Sequence, residues 1–311
     1  MNTVDRLAVV TGVGAAIAGE SPASGPLRTM ADPLDGMSRR VLRHKDRATR
    51  LALASAQRAL SAAQLTDAGA RTGVVVSTNF GNLDTVCDTV DTIAEQTYLG
   101  TSPMLLPSTA SNVVASWLAI TYGARAVNLT LCNGSTSGLD AVHWGRMVIA
   151  AGRADRALVV GVEPGNQVVD GLLDRWQPAG RRSLDGAVAL VLETPESAAE
   201  RGVRPIAQVG AYARTGAHAD AVFAVAMNRR IGLWCVPEDG ANDGEVPGAQ
   251  RYDVAGTLDA TCSGALGVLQ CAAGAGWLAD GSDDAVLATA GRGGVDDATA
   301  ALLLTPIGGA A

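Results

Sequence analysis

The stretch GSTSGLDAVHWGRMVIAAGRADRALVVGVEP, residues 134–164, has a clear two-element pattern. Small residues open it, apolar residues then recur at helical spacing, and a Gly-Arg-Ala-Asp turn leads into a run of apolar residues. This order predicts a helix over 135–152 and a buried strand over 156–163. A turn at the start of a helix is a favourable place for a nucleophile, because the helix dipole stabilises an anion there. The candidates are Cys132, Ser135, Thr136 and Ser137.

A second stretch, TCSGALGVLQCAAGAGWLADGSDDAVLATAGRGG at 261–294, has the same order of turn, helix, Gly/Asp turn and apolar strand. Two explanations are open. Segments rich in Ala and Gly can be similar by chance, or the chain can be internally duplicated. The position of each stretch in its own half favours an internally duplicated α/β fold with two layers of buried strands.

The rest of the chain mostly alternates between strand and helix patterns. A polar, Gly-rich segment at 240–250 is a predicted linker loop. We expect one unit, 1–311, made of two halves at 1–185 and 186–311. Strands are predicted at 6–17, 72–81, 125–132, 185–194 and 204–214, and helices at 39–63, 83–98 and 111–122.

The composition narrows the functional class. The net charge is −7, and the basic run at 39–50 alternates with apolar residues at helical spacing, so we expect a solvated helix face and no nucleic-acid partner. No apolar run reaches the roughly 18 residues needed to span a bilayer, and the start does not resemble a signal peptide. Five scattered cysteines without a CxxC pair indicate reduced thiols and no metal site. We therefore expect a cytoplasmic protein.

No cofactor is expected. The segment GVGAAI at 12–17 begins like a dinucleotide-binding fingerprint, but Ile17 stands where the third glycine is needed. The turn GSTSG at 134–138 is similar to a hydrolase elbow, but Thr136 is at its centre and no acid and histidine follow in the required order.

Several of these segments resemble the ketosynthase branch of the thiolase superfamily. The 134–164 stretch resembles the family's nucleophile turn, buried helix and following strand. The motif SLDGAVALVLE at 183–193 and the motif CSGALGVLQ at 262–270 resemble two further family segments, and 288–304 resembles its Gly-rich strand turn. The resemblance covers nearly the whole chain in order. It implies a duplicated thiolase-like fold, layered α-β-α-β-α, with two buried mixed sheets.

The resemblance also locates a site. Ketosynthases use a cysteine at the start of the buried helix, two histidines and a supporting lysine. Counted back from the turn at 152–155, the cysteine position falls on Ser135. The second histidine falls on Leu258, the lysine on Asp253, and the phenylalanine that gates the acyl pocket on Arg292. The family segment that carries the first histidine has no counterpart. A three-residue slip that makes Cys132 the nucleophile stays open, but it would insert residues into a packed helix.

The three histidines of the chain offer no substitute. We expect His44 at the surface, His143 as a packing or interface residue pointing away from the turn, and His218 in a loop. The loss of the cysteine, both histidines and the lysine together predicts a chain that performs no condensation, and therefore no catalytic residue.

The family contains inactive subunits of this kind, the chain-length factors of type II polyketide synthases. The resemblance implies a heterodimer with an active ketosynthase, and contact with an acyl carrier protein through that complex. In such a pair the strand before the turn pairs antiparallel with its equivalent in the partner. The interface strand here consists of Val127, Asn128, Leu129, Thr130 and Leu131.

The resemblance also implies an acyl tunnel. In chain-length factors a helix of the N-terminal half lines the tunnel, and the matching stretch is 81–93. Helical spacing puts Leu83, Val86, Cys87 and Val90 on one apolar face, and Val168 is a further candidate. Ordinary core packing is the alternative for this face. Mid-sized side chains without aromatic rings predict a long, narrow tunnel for a reduced or polyene chain.

Two rival functions stay open. One is a serine acyltransferase or hydrolase that uses Ser135 on a ketosynthase fold. The other is a silent scaffold that binds acyl carrier protein without shaping a product.

Overall fold

The computed structural model describes most of the chain, namely residues 6–20, 25–176, 180–227, 229–238, 246–292 and 296–308. The predicted linker loop at 240–250 lies largely outside the described residues. None of the helices in these ranges is long and apolar enough to cross a bilayer.

Within the described ranges, ten strands join in one hydrogen-bonded order, β3-β2-β4-β5-β1-β6-β10-β9-β7-β8. Their bounds are β1 Ala8–Ile17, β2 Thr72–Ser77, β3 Asn128–Leu131, β4 Arg156–Glu163, β5 Gly186–Glu193, β6 Ala207–Thr215, β7 Ile231–Cys235, β8 Gln250–Tyr252, β9 Ala285–Ala290 and β10 Thr299–Thr305.

The strand order is itself duplicated. From its edge to the centre, the N-terminal half of the sheet has the order β3-β2-β4-β5-β1. From the opposite edge to the centre, the C-terminal half has the equivalent order β8-β7-β9-β10-β6. The pairing senses also match, because β2 is parallel to β3 and β4 just as β7 is parallel to β8 and β9. β5 pairs with β1 and β4, so hydrogen bonding attaches it to the N-terminal half. A division that follows the repeat therefore lies after β5, and not at residue 185.

Ten α-helices are described. Their bounds are α1 Arg39–Leu42, α2 Arg47–Ala62, α3 Leu83–Gln96, α4 Val113–Tyr122, α5 Ser137–Ala150, α6 Gln167–Trp176, α7 Pro195–Glu200, α8 His218–Ala226, α9 Val254–Leu258 and α10 Leu266–Ala279.

The helices and strands form the predicted layers α-β-α-β-α. α5 and α10 form the central layer and bury their side chains against both halves of the sheet. α2 and α4 cover the outer face of the N-terminal half, and α8 covers the outer face of the C-terminal half. The two mixed halves are hydrogen-bonded to each other between β1 and β6, so the two predicted sheets are continuous at the centre.

The central helices approach closely because glycines face each other. A Cβ atom on Gly138 would lie 2.5 Å from the backbone nitrogen of Gly267, which is within the excluded volume of that atom. The sequence supplies the rest of the core as Ala, Val and Leu, and aromatic residues are only 4% of the chain. Small side chains therefore let two helices and two half-sheets pack at short distances.

The predicted helix at 39–63 is two helices. Asp46 ends the connecting segment and caps α2, since its carboxylate accepts hydrogen bonds from the backbone N–H of Thr49 at 2.8 Å and from the Thr49 hydroxyl at 2.6 Å. The N-cap conformation interrupts the apolar periodicity that the sequence carries through this region.

Candidate active site

A cavity of about 390 Å³ lies where the two halves of the duplicated fold meet. The short 3-10 turn Gly134–Thr136 leads into α5, and the equivalent turn Ser263–Ala265 leads into α10. The side chain of Asn79 joins them, because its Nδ2 donates to the carbonyl of Gly134 at 3.0 Å and to the Ser263 hydroxyl at 2.9 Å. The cavity is lined by Asn79, Phe80, Cys132, Gly134, Ser135, Leu173, Glu238, Thr261, Ser263, Gly291, Arg292 and Asp296.

Ser135 lies in the first of these turns and lines the cavity. Its hydroxyl donates to Oδ1 of Asp296 at 3.0 Å. Oδ2 of Asp296 accepts the backbone N–H of Arg292 at 2.7 Å, and the Arg292 Nε lies 3.9 Å from the same oxygen. Ser135 and Arg292, which the sequence placed at family site positions, therefore meet through a carboxylate that sequence reasoning missed.

The buried Asp140 carboxylate holds the Ser135 turn in place. Its Oδ2 accepts from Asn133 Nδ2 at 2.9 Å and from the Thr136 hydroxyl at 3.0 Å, while Oδ1 accepts from the Tyr212 hydroxyl. Desolvation together with this bond raises the pKa of Tyr212 far above its ordinary value. Asn133 and Thr136 flank Ser135, so Asp140 fixes the turn from the α5 side.

Two other carboxylates bind backbone N–H groups beside the cavity. Glu163, at the end of β4, is fully buried and accepts the N–H groups of Asn79 at 2.7 Å, Phe80 at 3.1 Å and Gly264 at 2.9 Å. Burial raises the pKa of Glu163 to about 7. Glu238 accepts the N–H groups that precede α10, those of Cys262 at 2.6 Å and Ser263 at 2.9 Å.

Cys132 is exposed and follows directly after β3, as predicted. Its Sγ lies 3.8 Å from the carbonyl oxygen of Asn79. Desolvation, and to a smaller extent the Glu163 carboxylate, raises the pKa of the Cys132 thiol. The thiolate is the reactive form of cysteine, so this environment disfavours Cys132 as a nucleophile.

Leu258 and Asp253, which are predicted at the family's histidine and lysine positions, have packing and capping roles in the structure. Leu258 is 8% exposed at the end of α9 and belongs to the central core. Asp253 caps α9 by accepting the Gly256 N–H at 2.8 Å, and it lies 4.0 Å from the Arg181 guanidinium. Leu258 has no proton to transfer, and the Asp253 carboxylate is engaged in capping α9.

All three histidines lie in the described ranges, and none lines the cavity. His44 is exposed, and His143 stacks on the Tyr212 ring at 4.1 Å, as a packing residue would. His218 differs from its prediction as a loop residue. It is the first residue of α8, only 9% exposed, and packs beside the Trp234 ring.

The side chains that line the cavity therefore offer hydroxyls, a thiol, an amide, a guanidinium and carboxylates. The single lysine of the sequence, Lys45, packs over the Trp117 ring at 3.9 Å in the outer layer. In the described ranges no three His, Cys, Asp or Glu side chains are grouped as a metal site would require. Serine needs a neighbouring base to act as a nucleophile, and the partner available to Ser135 is the carboxylate of Asp296.

The predicted tunnel residues lie on two helices that contact each other, α3 and α6. Leu83, Val86 and Cys87 are half-buried, and Val90 is 58% exposed. α3 has no buried residue. Its apolar face is therefore only partly covered by this chain. Val168 lies at the start of α6 and is half-buried.

The predicted interface strand is at one edge of the sheet. Of the predicted residues, Val127 precedes β3 and the other four form it. β3 pairs in parallel with β2 alone among the described strands. Its opposite side carries N–H and C=O groups without a strand neighbour, a template for pairing with a second chain.

Sequence reasoning missed Asp296, Glu238 and the structural role of Glu163. Glu163 had a local signal, since it is the one acidic residue in the buried strand RALVVGVE. Asp296 and Glu238 had none, because each binds a turn that is remote in the sequence. Ser135 and Asp296 are 161 positions apart.

Comparison with solved structures agrees with this fold. A structure described as a type II PKS acyl-carrier protein in complex with its ketosynthase bound to the hexaketide superimposes with a TM-score of 0.80 at 17% identity. That similarity covers 98% of this chain and all of the other. The ishigamide ketosynthase/chain length factor gives a TM-score of 0.75 at 20% identity, covering 97% of this chain and all of that one.

Sequence comparison gives the family. A curated relative, 3-oxoacyl-[acyl-carrier-protein] synthase 2 of Vibrio harveyi, is 27% identical over an alignment of 208 residues, and that alignment covers 60% of this chain. The match spans 50% of the length of that relative. Residues 9–197 match the family described as Beta-ketoacyl synthase, N-terminal domain. Because this match covers more than half of the chain, the protein belongs to the beta-ketoacyl synthase family.

Proposed function

We propose that this chain is a non-condensing chain-length factor, which pairs with an active ketosynthase and shapes the acyl tunnel of the pair. One observation carries the proposal. The turn where ketosynthases keep their cysteine presents Ser135, hydrogen-bonded to Asp296, and none of the chain's histidines lines the cavity beside it. A partner that contributes the cysteine and histidines would supply the chemistry that this cavity lacks.

The open edge of β3 supports pairing. The carbonyls of Val127 and Leu131 accept hydrogen bonds from β2 and its following residue, at 2.7 Å from the Val74 N–H and 3.1 Å from the Thr78 N–H. Alternate residues of a strand direct their N–H and C=O groups to opposite sides. Those of Asn128 and Thr130 therefore point to the open side, where an antiparallel strand of the partner can bind them.

Apolar side chains flank this edge on both faces of the sheet. α4 and α5 each contact β3, from opposite layers. Ile120 on α4 is 70% exposed, and Trp144 and Met147 on α5 are 47% and 39% exposed. Exposed apolar residues that surround a bare strand edge are typical of a permanent interface, and such interfaces commonly bury more than about 2,000 Å².

α3 leaves the C-terminal part of its apolar face exposed. Thr85, Thr89 and Thr92, on its polar face, line a cavity of about 260 Å³ against the 100–108 segment. The apolar face, with Val90 and the 45% exposed Ile93, points away from that cavity. A helix whose apolar face is only partly covered by its own chain leaves room for a cover from elsewhere. The proposed cover is the acyl chain and the partner around it.

The side chains of this face define the proposed substrate class. They are mid-sized and aliphatic, or in the case of Cys87 small, and none is aromatic. A tunnel wall of this kind is long, narrow and apolar, and suits a reduced or polyene chain. The similar solved structures include one described as a ketosynthase/chain length factor and one with an acyl-carrier protein, which supports such an assembly at the level of fold.

The first experiment tests assembly. The chain is co-expressed with its partner ketosynthase, which carries an intact cysteine and two histidines, and the product is analysed by sedimentation. A 1:1 heterodimer is the expected result. A stable homodimer that forms acyl-enzyme alone would overturn the proposal.

The second experiment tests the tunnel. We expect Val90→Trp to shorten the products of the reconstituted pair, because an indole on the apolar face of α3 narrows the tunnel. Glu95→Trp is the matched control, since Glu95 is an exposed residue outside the apolar face of the same helix. Mass spectrometry of the products gives their length. Unchanged length with Val90→Trp removes this position from the tunnel.

One observation favours the rival serine enzyme. The Ser135 hydroxyl donates to a carboxylate, which is a base that can accept its proton. That enzyme would form an acyl-serine from an acyl thioester, and Ser135→Ala would abolish it. A carboxylate is a weaker base than an imidazole, so the hydrogen bond alone is a poor activator of serine.

A further inference from the structure

The Asp296 carboxylate lines the cavity and accepts hydrogen bonds from two residues of the candidate site. One oxygen accepts the Ser135 hydroxyl at 3.0 Å and the other accepts the Arg292 N–H at 2.7 Å. A hydroxyl, a backbone N–H and a guanidinium 3.9 Å away are the groups with which proteins bind a carboxylate or another small oxyanion. In this protein these groups lie against the carboxylate of Asp296, which belongs to the same chain.

The neighbouring N–H donors are also occupied by the chain's own acids. Glu238 binds the N–H groups of Cys262 and Ser263. Glu163 binds that of Gly264. Glu163 is fully buried inside the fold, however, whereas Ser135, Arg292 and Asp296 are half-buried and line the cavity. The position of Asp296 is therefore one that a ligand from solvent can reach once the side chain is removed.

We infer that the Ser135 hydroxyl and the Arg292 N–H form a binding site for a small carboxylate, and that Asp296 fills it as an internal ligand. The inference rests on the proposed function, since it explains how the Ser135 cavity is kept silent.

The chemistry of acyl transfer shows why such a ligand silences the site. Attack on a thioester would form a bond from Ser135 Oγ to the carbonyl carbon and break the carbon–sulfur bond, with the hydroxyl proton leaving on the thiol. The carbonyl oxygen becomes an oxyanion during this step and needs free N–H donors near Oγ. Asp296 occupies the Arg292 donor and places a negative charge at the same point, so it competes with the oxyanion for that donor and repels it.

The experiment removes the internal ligand and supplies an external one. Asp296→Ala is titrated with sodium acetate at constant ionic strength, with chloride as the balancing salt, and binding is followed by thermal unfolding and by ¹³C-acetate line broadening. Asp297→Ala is the matched control, because Asp297 is an exposed neighbour of the same charge. We expect acetate to stabilise Asp296→Ala saturably and at least about 10-fold more tightly than it binds the wild type or the control.

The double variant Asp296→Ala with Ser135→Ala localises the site, since loss of the hydroxyl donor should weaken acetate binding at least about 10-fold. Should Asp296→Ala not fold, Asp296→Ser takes its place with a smaller polar side chain. An equal response of all variants to acetate overturns the inference. Pairing with the ketosynthase is measured separately: failure of acetate binding with intact pairing refutes this site alone, and failure of pairing refutes the proposed function.

Discussion

Two edge strands, β3 and β8, occupy equivalent positions in the two halves and differ in character. β3 has the sequence NLTL, three of its four residues are half-buried, and exposed apolar side chains flank it. β8 has the sequence QRY, is three residues long, and exposes its first two residues. Short, charged strands are a common way to protect a sheet edge from unwanted pairing. One topology thus carries an edge suited to solvent and an edge suited to a partner.

This difference teaches where the duplicated fold has diverged. The interior elements match: α5 and α10 have the same length, each follows a 3-10 turn, and they meet at facing glycines. The edge strands β3 and β8 differ in sequence and exposure, whereas the packing of the interior helices is common to both halves. A comparison of the edges is therefore more informative about partners than a comparison of the cores.

The largest effect should come from proline at the open side of β3. Thr130→Pro removes an N–H that points away from β2, so it leaves the chain's own ladder intact and removes a hydrogen bond to the partner strand. Loss of this bond, with the partner's acceptor left unpaired in the interface, costs up to about 3 kcal/mol, which is up to about 100-fold in the dissociation constant of the heterodimer. Sedimentation of the reconstituted pair measures it.

Arg251→Pro in β8 is the matched control, because Arg251 directly precedes Tyr252, whose carbonyl accepts the N–H of Val236 after β7, just as Thr130 directly precedes Leu131, whose carbonyl accepts the N–H of Thr78 after β2. We expect it to leave pairing unchanged. If both prolines weaken the heterodimer equally, the two edges do not differ in function and the comparison fails.

Local patterns predicted the interior well. The helix and strand over 134–163 and their counterparts after 261 are confirmed, because apolar periodicity and turn residues are properties of adjacent positions. The strand at 156–163 has the predicted bounds. Periodicity identifies the apolar face of α3 in the sequence, but it does not say whether the same chain covers that face.

The cavity was predicted in part, for a related reason. Ser135 and Arg292 could be placed by their position in motifs, whereas Asp296 binds both of them through a contact across 161 positions. His218 was assigned to a loop because it follows a predicted strand, but Trp234 of β7 packs beside it and α8 begins there. Such contacts depend on the tertiary fold and leave no local pattern.

A second prediction concerns the buried carboxyl group of Glu163 in the interior. The pKa of Glu163 in the folded protein, about 7, is above the ordinary carboxyl value of 4.5, so the folded state keeps a proton that the unfolded chain releases between these values. Its contribution to stability is present below pH 4.5 and is lost as the pH rises through 7. At about 1.4 kcal/mol per unit, the loss is of the order of 3 kcal/mol.

Glu163→Gln should therefore flatten the fall in unfolding free energy between pH 4.5 and 7, although it destabilises the protein by facing an amide donor toward backbone N–H groups. Urea unfolding at several pH values measures this. Glu193 is the contrasting control: it is also fully buried, but hydrogen bonds and two arginines lower its pKa, so Glu193→Gln should not flatten the same window. Pairing should survive Glu163→Gln, since the residue serves the interior; an unchanged pH slope contradicts the assignment.

The smallest of the three effects is a difference in heterodimer affinity between variants of two exposed aromatic residues, one in each half. Trp144 on α5 lies beside the β3 edge and is 47% exposed, and Phe223 on α8 in the outer layer is 67% exposed. A tryptophan buried at the centre of an interface commonly contributes about 2 kcal/mol, so Trp144→Ala should weaken the heterodimer by about 30-fold. Phe223→Ala should leave the dissociation constant unchanged, because exposure alone does not make a residue part of an interface. A fluorescence-detected titration of each variant with the ketosynthase gives its dissociation constant. If the two substitutions weaken binding equally, the β3 edge is not the centre of the partner surface.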